Sequence, residues 1–290
     1  MITGANKGIG LATVAAILEQ YPDVFVILGS RDLERGCKAV DSLCEDQPDR
    51  ASRLELLQLD VSSPQSVTHA RDALIDRHGS EPAPLYGLVN NAGIGLGCED
   101  MERILEVNLY GAKRMCDAFV PLIQASGRIV NIASASGPNF VSQCSPQRQA
   151  FFRNSAIEWD ELESFTREVL AAQNYSQDTG SFGLGQINGY GFSKACLNLY
   201  SLLLARENPQ LCVNACTPGY IETDLTRPQA EKRGLTPADM GMKQPVAGTV
   251  AVLFLLFGQP HGSGHYYGSD ARRSPLDRYR APGDPEYKGR

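Results

Sequence analysis

Thr3-Gly4-Ala5-Asn6-Lys7-Gly8-Ile9-Gly10 stands at the start of the sequence and decides the fold, because its glycines follow the spacing G-x-x-x-G-x-G ahead of a helical pattern. Glycines permit a tight turn and let the backbone approach a pyrophosphate. The helix that follows offers unpaired N–H groups and a positive dipole end. Alone, such a turn is also compatible with a flexible loop. At a first βα junction it predicts a dinucleotide site made by Gly4, Asn6, Lys7, Gly8, Ile9 and Gly10.

Short apolar segments alternate with helical patterns along most of the chain. Buried strands are predicted for the apolar runs at 24–28, 54–59, 85–89, 127–132 and 212–216. This alternation is typical of βαβ units and predicts an α/β fold, a doubly wound parallel sheet with helices on both faces. The rhythm breaks at about 136–186, where a polar segment with one predicted helix (about 158–172) indicates an insertion, and 180–189 is predicted to be a Gly-rich loop. We expect one domain over 1–271 and an extended or loosely ordered tail over 272–290.

The composition restricts the kind of protein. The chain has 290 residues, 42% hydrophobic and 21% charged, which is ordinary for a globular domain. A net charge of −6 gives no support for nucleic-acid or membrane-surface binding. The longest apolar run, 250–257, is far shorter than a membrane span needs. The chain opens directly into the Gly-rich stretch, so we expect no secretory signal.

Eight cysteines and four histidines are present. No two cysteines form a CxxC pair, and the histidines share no metal-ligand spacing with them. We therefore predict reduced thiols, no metal site and a cytoplasmic protein.

The residues after the second strand position bear on the choice of dinucleotide. An NAD site places an acidic side chain there, but this sequence has Gly29-Ser30-Arg31-Asp32. Arg31 and Lys7 supply two cations, which suit the 2′-phosphate of NADPH. Asp32 lies one step further on, where it can cap the next helix. The alternative for Arg31 is a solvated surface charge.

Tyr190 and Lys194 stand four positions apart at the start of a predicted helix, so both project from one face. An ammonium beside a phenol favours the phenolate, which lets a tyrosine exchange protons near neutral pH. The pair alone is weak evidence, because a packed tyrosine and a solvated lysine have the same spacing.

Three further segments favour a catalytic site. Ser134 follows the predicted strand 127–132, and 218–223 follows the strand 212–216, so both lie at carboxyl ends of strands. Ligands bind at that edge of open α/β sheets. Asn108 lies inside a predicted long helix, about 101–124, an unfavourable place for asparagine without a role.

With these pieces in order, the chain resembles the short-chain dehydrogenase/reductase family, which implies a Rossmann fold and an oxidoreductase. The matching motifs span nearly the whole chain: TGANKGIG (3–10), Asp60-Val61, NNAG (90–93), Asn108, Ser134, YGFSK (190–194) and PGYIETD (218–224).

The resemblance implies a role for each of these residues. Tyr190 would be the acid/base, and Lys194 would lower its pKa and hold the nicotinamide ribose. Ser134 would hydrogen-bond the substrate oxygen, and Asn108 would position a water in a proton relay to Lys194. The remaining cofactor contacts would come from Asp60 and Val61 at the adenine, Asn90 and Gly93 along the cofactor, Ile221 and Thr223 at the carboxamide, and also Pro218 and Gly219. Ser136 is the less favoured catalytic serine.

Within the family, the chain is similar to the monomeric NADPH-dependent carbonyl reductases. Ser134 and Tyr190 are 56 positions apart, a longer gap than in most members. The resemblance implies that this insertion covers the surface other members use to form tetramers. Its aromatic residues either line the substrate pocket or, as we favour, pack the insertion onto the core: Phe140, Phe151, Phe152 and Trp159.

The first strand is nearly absent, since only Met1 and Ile2 precede the turn. We expect a truncated central strand in the order 3-2-1-4-5-6-7, and a natural protein that is longer at this end. The predicted function is NADPH-dependent reduction of a ketone, aldehyde or quinone. The alternatives are a non-catalytic NADP-binding regulatory protein or truncated inactive copy, and an alcohol dehydrogenase working oxidatively.

Overall fold

A computed structural model of the chain describes residues 1–95, 98–174, 182–185 and 188–289. It shows the predicted α/β fold. The helices are α1 (Gly8–Gln20), α2 (Leu33–Cys44), α3 (Pro64–His78), α4 (Met101–Leu105), α5 (Gly111–Phe119), α6 (Ser136–Ser142), α7 (Pro146–Phe152), α8 (Trp159–Asn174), α9 (Gly189–Glu207), α10 (Arg227–Glu231) and α11 (Val250–Phe257). The strands are β1 (Val26–Ser30), β2 (Leu54–Gln58), β3 (Leu85–Asn90), β4 (Ile123–Ile132), β5 (Cys212–Cys216), β6 (His265–Tyr267) and β7 (Arg273–Ser274).

The sheet is parallel except at its last strand. β1 pairs with β2, and β3 to β7 pair in sequence order, with β7 antiparallel to β6. Ile2 joins the two parts through parallel bridges to Leu28 and Val89. The chain start therefore occupies the predicted central position between β1 and β3, but as one residue bridged on both sides rather than a full strand.

Both faces of this sheet are buried, as in other parallel sheets with helices on either side. Ile27 and Leu88 belong to one apolar cluster, whereas their neighbours Leu28 and Val89 belong to the other. Helices α3, α5 and α9 pack on the first face, and α1, α2 and α11 on the second.

The short first strand leaves a cavity of about 530 Å³ between β1 and β3. Its lining is mostly apolar and includes Met1, Phe25, Ile27, Leu85 and Gly87. The carbonyls of Ile27 and Gly87 accept hydrogen bonds from Ile2 N and Met1 N. In a parallel ladder both main-chain groups of a residue face the same neighbour. The N–H groups of Ile27 and Gly87 therefore point toward this cavity.

The prediction of one continuous helix over 101–124 is wrong, because the helix is interrupted and ends earlier. α4 passes into a π-helical turn at Glu106–Tyr110, and α5 ends at Phe119. Pro121 lies in the 3-10 turn that follows, and β4 already begins at Ile123. The first long strand also differs from the prediction of 24–28, since it runs over Val26–Ser30.

The insertion contains three described helices rather than one, α6 to α8. Two of them have only seven residues each, which is too short for a periodic signal in sequence. The aromatic residues pack the insertion onto the core, as favoured: Phe140 and Phe152 contact Phe192, and Trp159 contacts Tyr110 and Tyr200. The predicted Gly-rich loop at 180–189 lies partly outside the described residues.

The tail is more ordered than predicted. β7 pairs with β6, and Arg280 is buried in an ion pair with Asp270. Arg153 of the insertion pairs with Asp277 of the tail at 3.1 Å. The pair of Arg153 with Asp277 joins residues 124 positions apart, so it carries no local sequence signal.

Over the described parts of the chain, no helix is both long and apolar enough to cross a membrane. The eight cysteines are free.

Candidate active site

The Gly-rich turn has the geometry of an anion cradle. Gly4 and Gly8 adopt φ values of +60° and +58°, which side chains with a Cβ rarely adopt. α1 begins at Gly8, and the Lys7 side chain does not cap it, so the first-turn N–H groups face outward. A Cβ on Gly10 would overlap Ala5 and Asn91. These features fit the pyrophosphate of a dinucleotide.

Asn91 holds this turn in place, a role that sequence reasoning missed. Its Nδ2 donates to the carbonyls of Thr3 and Gly4 at 2.8 and 3.1 Å, and the Thr3 hydroxyl accepts from the N–H groups of Asn91 and Ala92. The signal was present in the motif NNAG, of which only Asn90 and Gly93 were assigned.

The segment after β1 lies as the sequence suggested. Asp32 caps α2 by accepting from Arg35 N at 3.0 Å, and the buried Ser30 donates to the Asp32 carbonyl. Arg31 is exposed beside them. Lys7 Nζ, in contrast, donates to Asp224 Oδ2 at 2.7 Å. This ion pair across the two predicted cofactor loops was not foreseen.

Tyr190 lies in the first turn of α9, which Asn188 caps through a 2.8 Å bond from Gly191 N. Burial raises the pKa of Tyr190, while the neighbouring Ser134 side chain lowers it. Ser134 follows β4 at the carboxyl edge of the sheet, and its Oγ accepts from Ser136 N. The structure thus brings Tyr190 and Ser134 together, while Ser136 donates its main-chain N–H to Ser134.

Lys194 is buried one turn further along α9. Its Nζ donates to the Ile132 carbonyl at 2.8 Å and lies 5.8 Å from the centre of the Tyr190 ring. Burial lowers the pKa of Lys194 to about 8. The largest cause that shifts the Tyr190 pKa is burial, which raises it by disfavouring the phenolate, and the lowering by Lys194 stays a prediction.

Asn108 lies in the π-helical turn, which explains how an asparagine is accommodated inside a helix. Its amide bonds to both main-chain groups of Ile94 and donates to Ser193 Oγ at 3.0 Å. A Cβ on Gly93 would lie 3.3 Å from Asn108 Oδ1 and 3.5 Å from Lys194 Nζ, so these groups are close neighbours. Ser193, which also donates to the Tyr190 carbonyl, was missed from sequence.

Three residues predicted to contact the cofactor form hydrogen bonds within the protein. Asp60 Oδ1 accepts from the N–H and hydroxyl of Ser62, and the Val61 carbonyl accepts from Arg114. Asn90 is buried and donates to Asn131 Oδ1 at 2.8 Å, in a polar network below the site. The Asn90 side chain therefore supports the core of the sheet.

The loop after β5 lies against the Gly-rich turn. Gly219 has φ +95°, and Pro218, Ile221 and Ile9 all approach Gly248. The Thr223 methyl lies 3.3 Å from the position that a Cβ on Gly8 would take. The Gly-rich turn and the loop after β5 thus meet at one edge of the sheet.

Sequence comparison agrees with this geometry. The family model for short chain dehydrogenase matches residues 1–146. The chain belongs to the short-chain dehydrogenase family. A curated relative, carbonyl reductase (NADPH) 1 of Macaca fascicularis, is 33% identical over 280 residues, which are 90% of this chain and 93% of the relative.

Further similarities extend over most of this short-chain dehydrogenase. The (+)-neomenthol dehydrogenase of Arabidopsis thaliana is 30% identical over 287 residues, 85% of this chain and 89% of the relative. The solved menthone neomenthol reductase from Mentha piperita superposes with a TM-score of 0.74 at 25% identity, covering 92% of this chain and 97% of that one. The chain is therefore an oxidoreductase built to bind a nicotinamide dinucleotide.

Proposed function

We propose that this short-chain dehydrogenase reduces a ketone, aldehyde or quinone to the alcohol with NADPH, and that Tyr190 supplies the proton. The observation that carries the proposal is the Tyr190 phenol beside Ser134, with Lys194 Nζ 5.8 Å from the centre of its ring, at the carboxyl edge of the sheet. A phenol with a raised pKa is protonated at neutral pH, as a proton donor must be.

The chemistry divides between cofactor and chain. When bound, the nicotinamide supplies the hydride that adds to the carbonyl carbon. Ser134 donates a hydrogen bond to the carbonyl oxygen, and Tyr190 transfers its phenolic proton to that oxygen as the C=O bond becomes C–OH. The Tyr190 phenolate left behind is stabilised by the Lys194 ammonium. We assign its reprotonation to a relay through Lys194 and a water positioned by Asn108, which the proximity of these two side chains supports.

An assay of NADPH consumption with a panel of carbonyl compounds tests the proposal, with Tyr190→Phe as the control. Turnover in the wild type that the variant loses supports it. Equal inactivity of both proteins, with NADPH still bound, would favour the non-catalytic alternative. The similar proteins include a carbonyl reductase and a neomenthol dehydrogenase. Cyclic ketones are therefore a suitable first group of substrates to test.

The preference for NADPH over NADH rests on Lys7 and Arg31. Both are exposed cations near the start of α1 and the end of β1, where a 2′-phosphate would be held. We expect Lys7→Gln with Arg31→Gln to weaken NADPH binding by about tenfold or more while NADH binding changes little. Direct titration of both cofactors measures this, and an unchanged ratio of the two dissociation constants would refute the assignment.

We also propose that the protein is a cytoplasmic monomer. The insertion helix α8 lies against α5 and α9, with Trp159 between Tyr110 and Tyr200 and under Lys113. Faces that pack against the insertion are not available to a second copy. Free cysteines are typical of a reducing compartment. Size-exclusion chromatography with light scattering is expected to give the monomer mass of about 31.5 kDa; a tetramer mass would contradict the proposal.

A further inference from the structure

An ion pair joins the Gly-rich turn to the loop after β5. Lys7 Nζ and Asp224 Oδ2 are 2.7 Å apart, although 217 positions separate the two residues in sequence. Beside this pair the Thr223 methyl packs against Gly8. The two segments assigned to the cofactor therefore touch, and Asp224 lies at their contact.

Asp224 is surrounded by positive charge. Arg227 Nη1 donates to its other oxygen at 2.8 Å. The hydrogen bond from Lys7 is the largest cause that lowers the pKa of Asp224, and the charges of Lys7, Arg227 and Arg35 add to it. About half of the Lys7 and Asp224 side chains is exposed, so both can change partners. A carboxylate thus occupies a cluster of cations at the opening of the cofactor cleft.

This arrangement affects the two cofactors differently. A 2′-phosphate carries between one and two negative charges, so it competes with Asp224 for Lys7 and is repelled by the carboxylate. A ribose hydroxyl experiences neither effect. We propose that Asp224 is a specificity-determining residue that restrains Lys7 and moderates the preference for NADPH over NADH. The inference rests on the proposed NADPH site and adds to that site a residue that weakens NADPH binding.

The test is direct titration of NADPH and NADH by cofactor fluorescence, which needs no turnover. We expect Asp224→Asn to tighten NADPH binding by about fivefold, the size of one exposed charge interaction, and to change NADH binding less than about twofold. Asp239→Asn is the matched control. It changes net charge equally, and its carboxylate bonds to Thr236 rather than to a cofactor segment. We expect no effect on either cofactor.

A double-mutant cycle assigns the effect to Lys7. In the Lys7→Gln background, Asp224→Asn is expected to lose most of its effect on NADPH. Unchanged NADPH binding in Asp224→Asn overturns the proposal. Equally weakened binding of both cofactors would also overturn it, because the ion pair would then help to hold either cofactor in the site. A wild type that binds neither cofactor refutes the proposed function itself, and this inference with it.

Discussion

Tyr190→Phe is expected to lower kcat for carbonyl reduction by about 1,000-fold while NADPH binding stays within about twofold. Proton transfer by a positioned side chain contributes roughly 100- to 10,000-fold to a rate. Phenylalanine keeps the ring and its packing but removes the hydroxyl that carries the proton and interacts with Ser134. Steady-state kinetics with the best carbonyl substrate, together with NADPH titration, measures both quantities.

Tyr200→Phe supplies a matched control on the same helix. Tyr200 is fully buried on α9, and its ring packs against Trp159, away from Ser134 and Lys194. The same loss of a hydroxyl there is expected to leave kcat nearly unchanged. If Tyr190→Phe retained more than about a tenth of the wild-type kcat, another group would have to supply the proton.

The sequence was most informative where function imposes residue types at fixed spacing. The Gly-rich turn, the Tyr190–Lys194 pair and Ser134 could each be named as candidates, because a phosphate, a proton and a carbonyl oxygen require particular groups. The parallel sheet also followed, since strands buried on both faces are continuous apolar runs such as 212–216. In these cases the chemical requirement is local and therefore visible in sequence.

Contacts between distant segments could not be predicted in this way. The pairing of Lys7 with Asp224 joins residues 217 positions apart, and neither residue type requires the other. The π-helical turn at Asn108 depends on its bonds to Ile94 and Ser193, which exist only in the folded chain. The pKa of Tyr190 likewise depends on how deeply the ring is buried, which the spacing to Lys194 does not reveal.

The cavity beside Met1 leads to the second large effect, which concerns stability. A Val-Val-Ala-Val segment placed ahead of Met1, behind a new initiator methionine, is expected to add a strand between β1 and β3. It would fill the 530 Å³ cavity and accept hydrogen bonds from the N–H groups of Ile27 and Gly87. Burying two or three such side chains stabilises by about 3 kcal/mol or more, which raises Tm by roughly 6–12 °C for a chain of this size.

A Gly-Ser-Gly-Ser segment of equal length is the control, because it also removes the buried amine at Met1 but adds no apolar side chains. Thermal unfolding compares the two, and hydrogen exchange at Ile27 and Gly87 reports whether the strand forms. Equal Tm values for the two extensions, or unprotected amides at both positions, would show that the cavity does not accept a strand.

In protein expressed with Met1 as its first residue, the buried amine adds a pH dependence with a definite sign. Burial lowers the pKa of the Met1 amine from 8.0 to about 5. Between these values the unfolded chain binds the proton more tightly, so this group destabilises the native state, by about 1.4 kcal/mol at pH 7. The cost is largest below pH 5 and disappears above pH 8. Both extensions replace the amine with a peptide bond. Their gain in the free energy of unfolding over the unextended chain should therefore shrink between pH 5 and pH 8.5. The difference in this free energy between the two extensions should stay constant. A gain that did not vary with pH would mean that the Met1 amine is solvated and that the cavity reaches water.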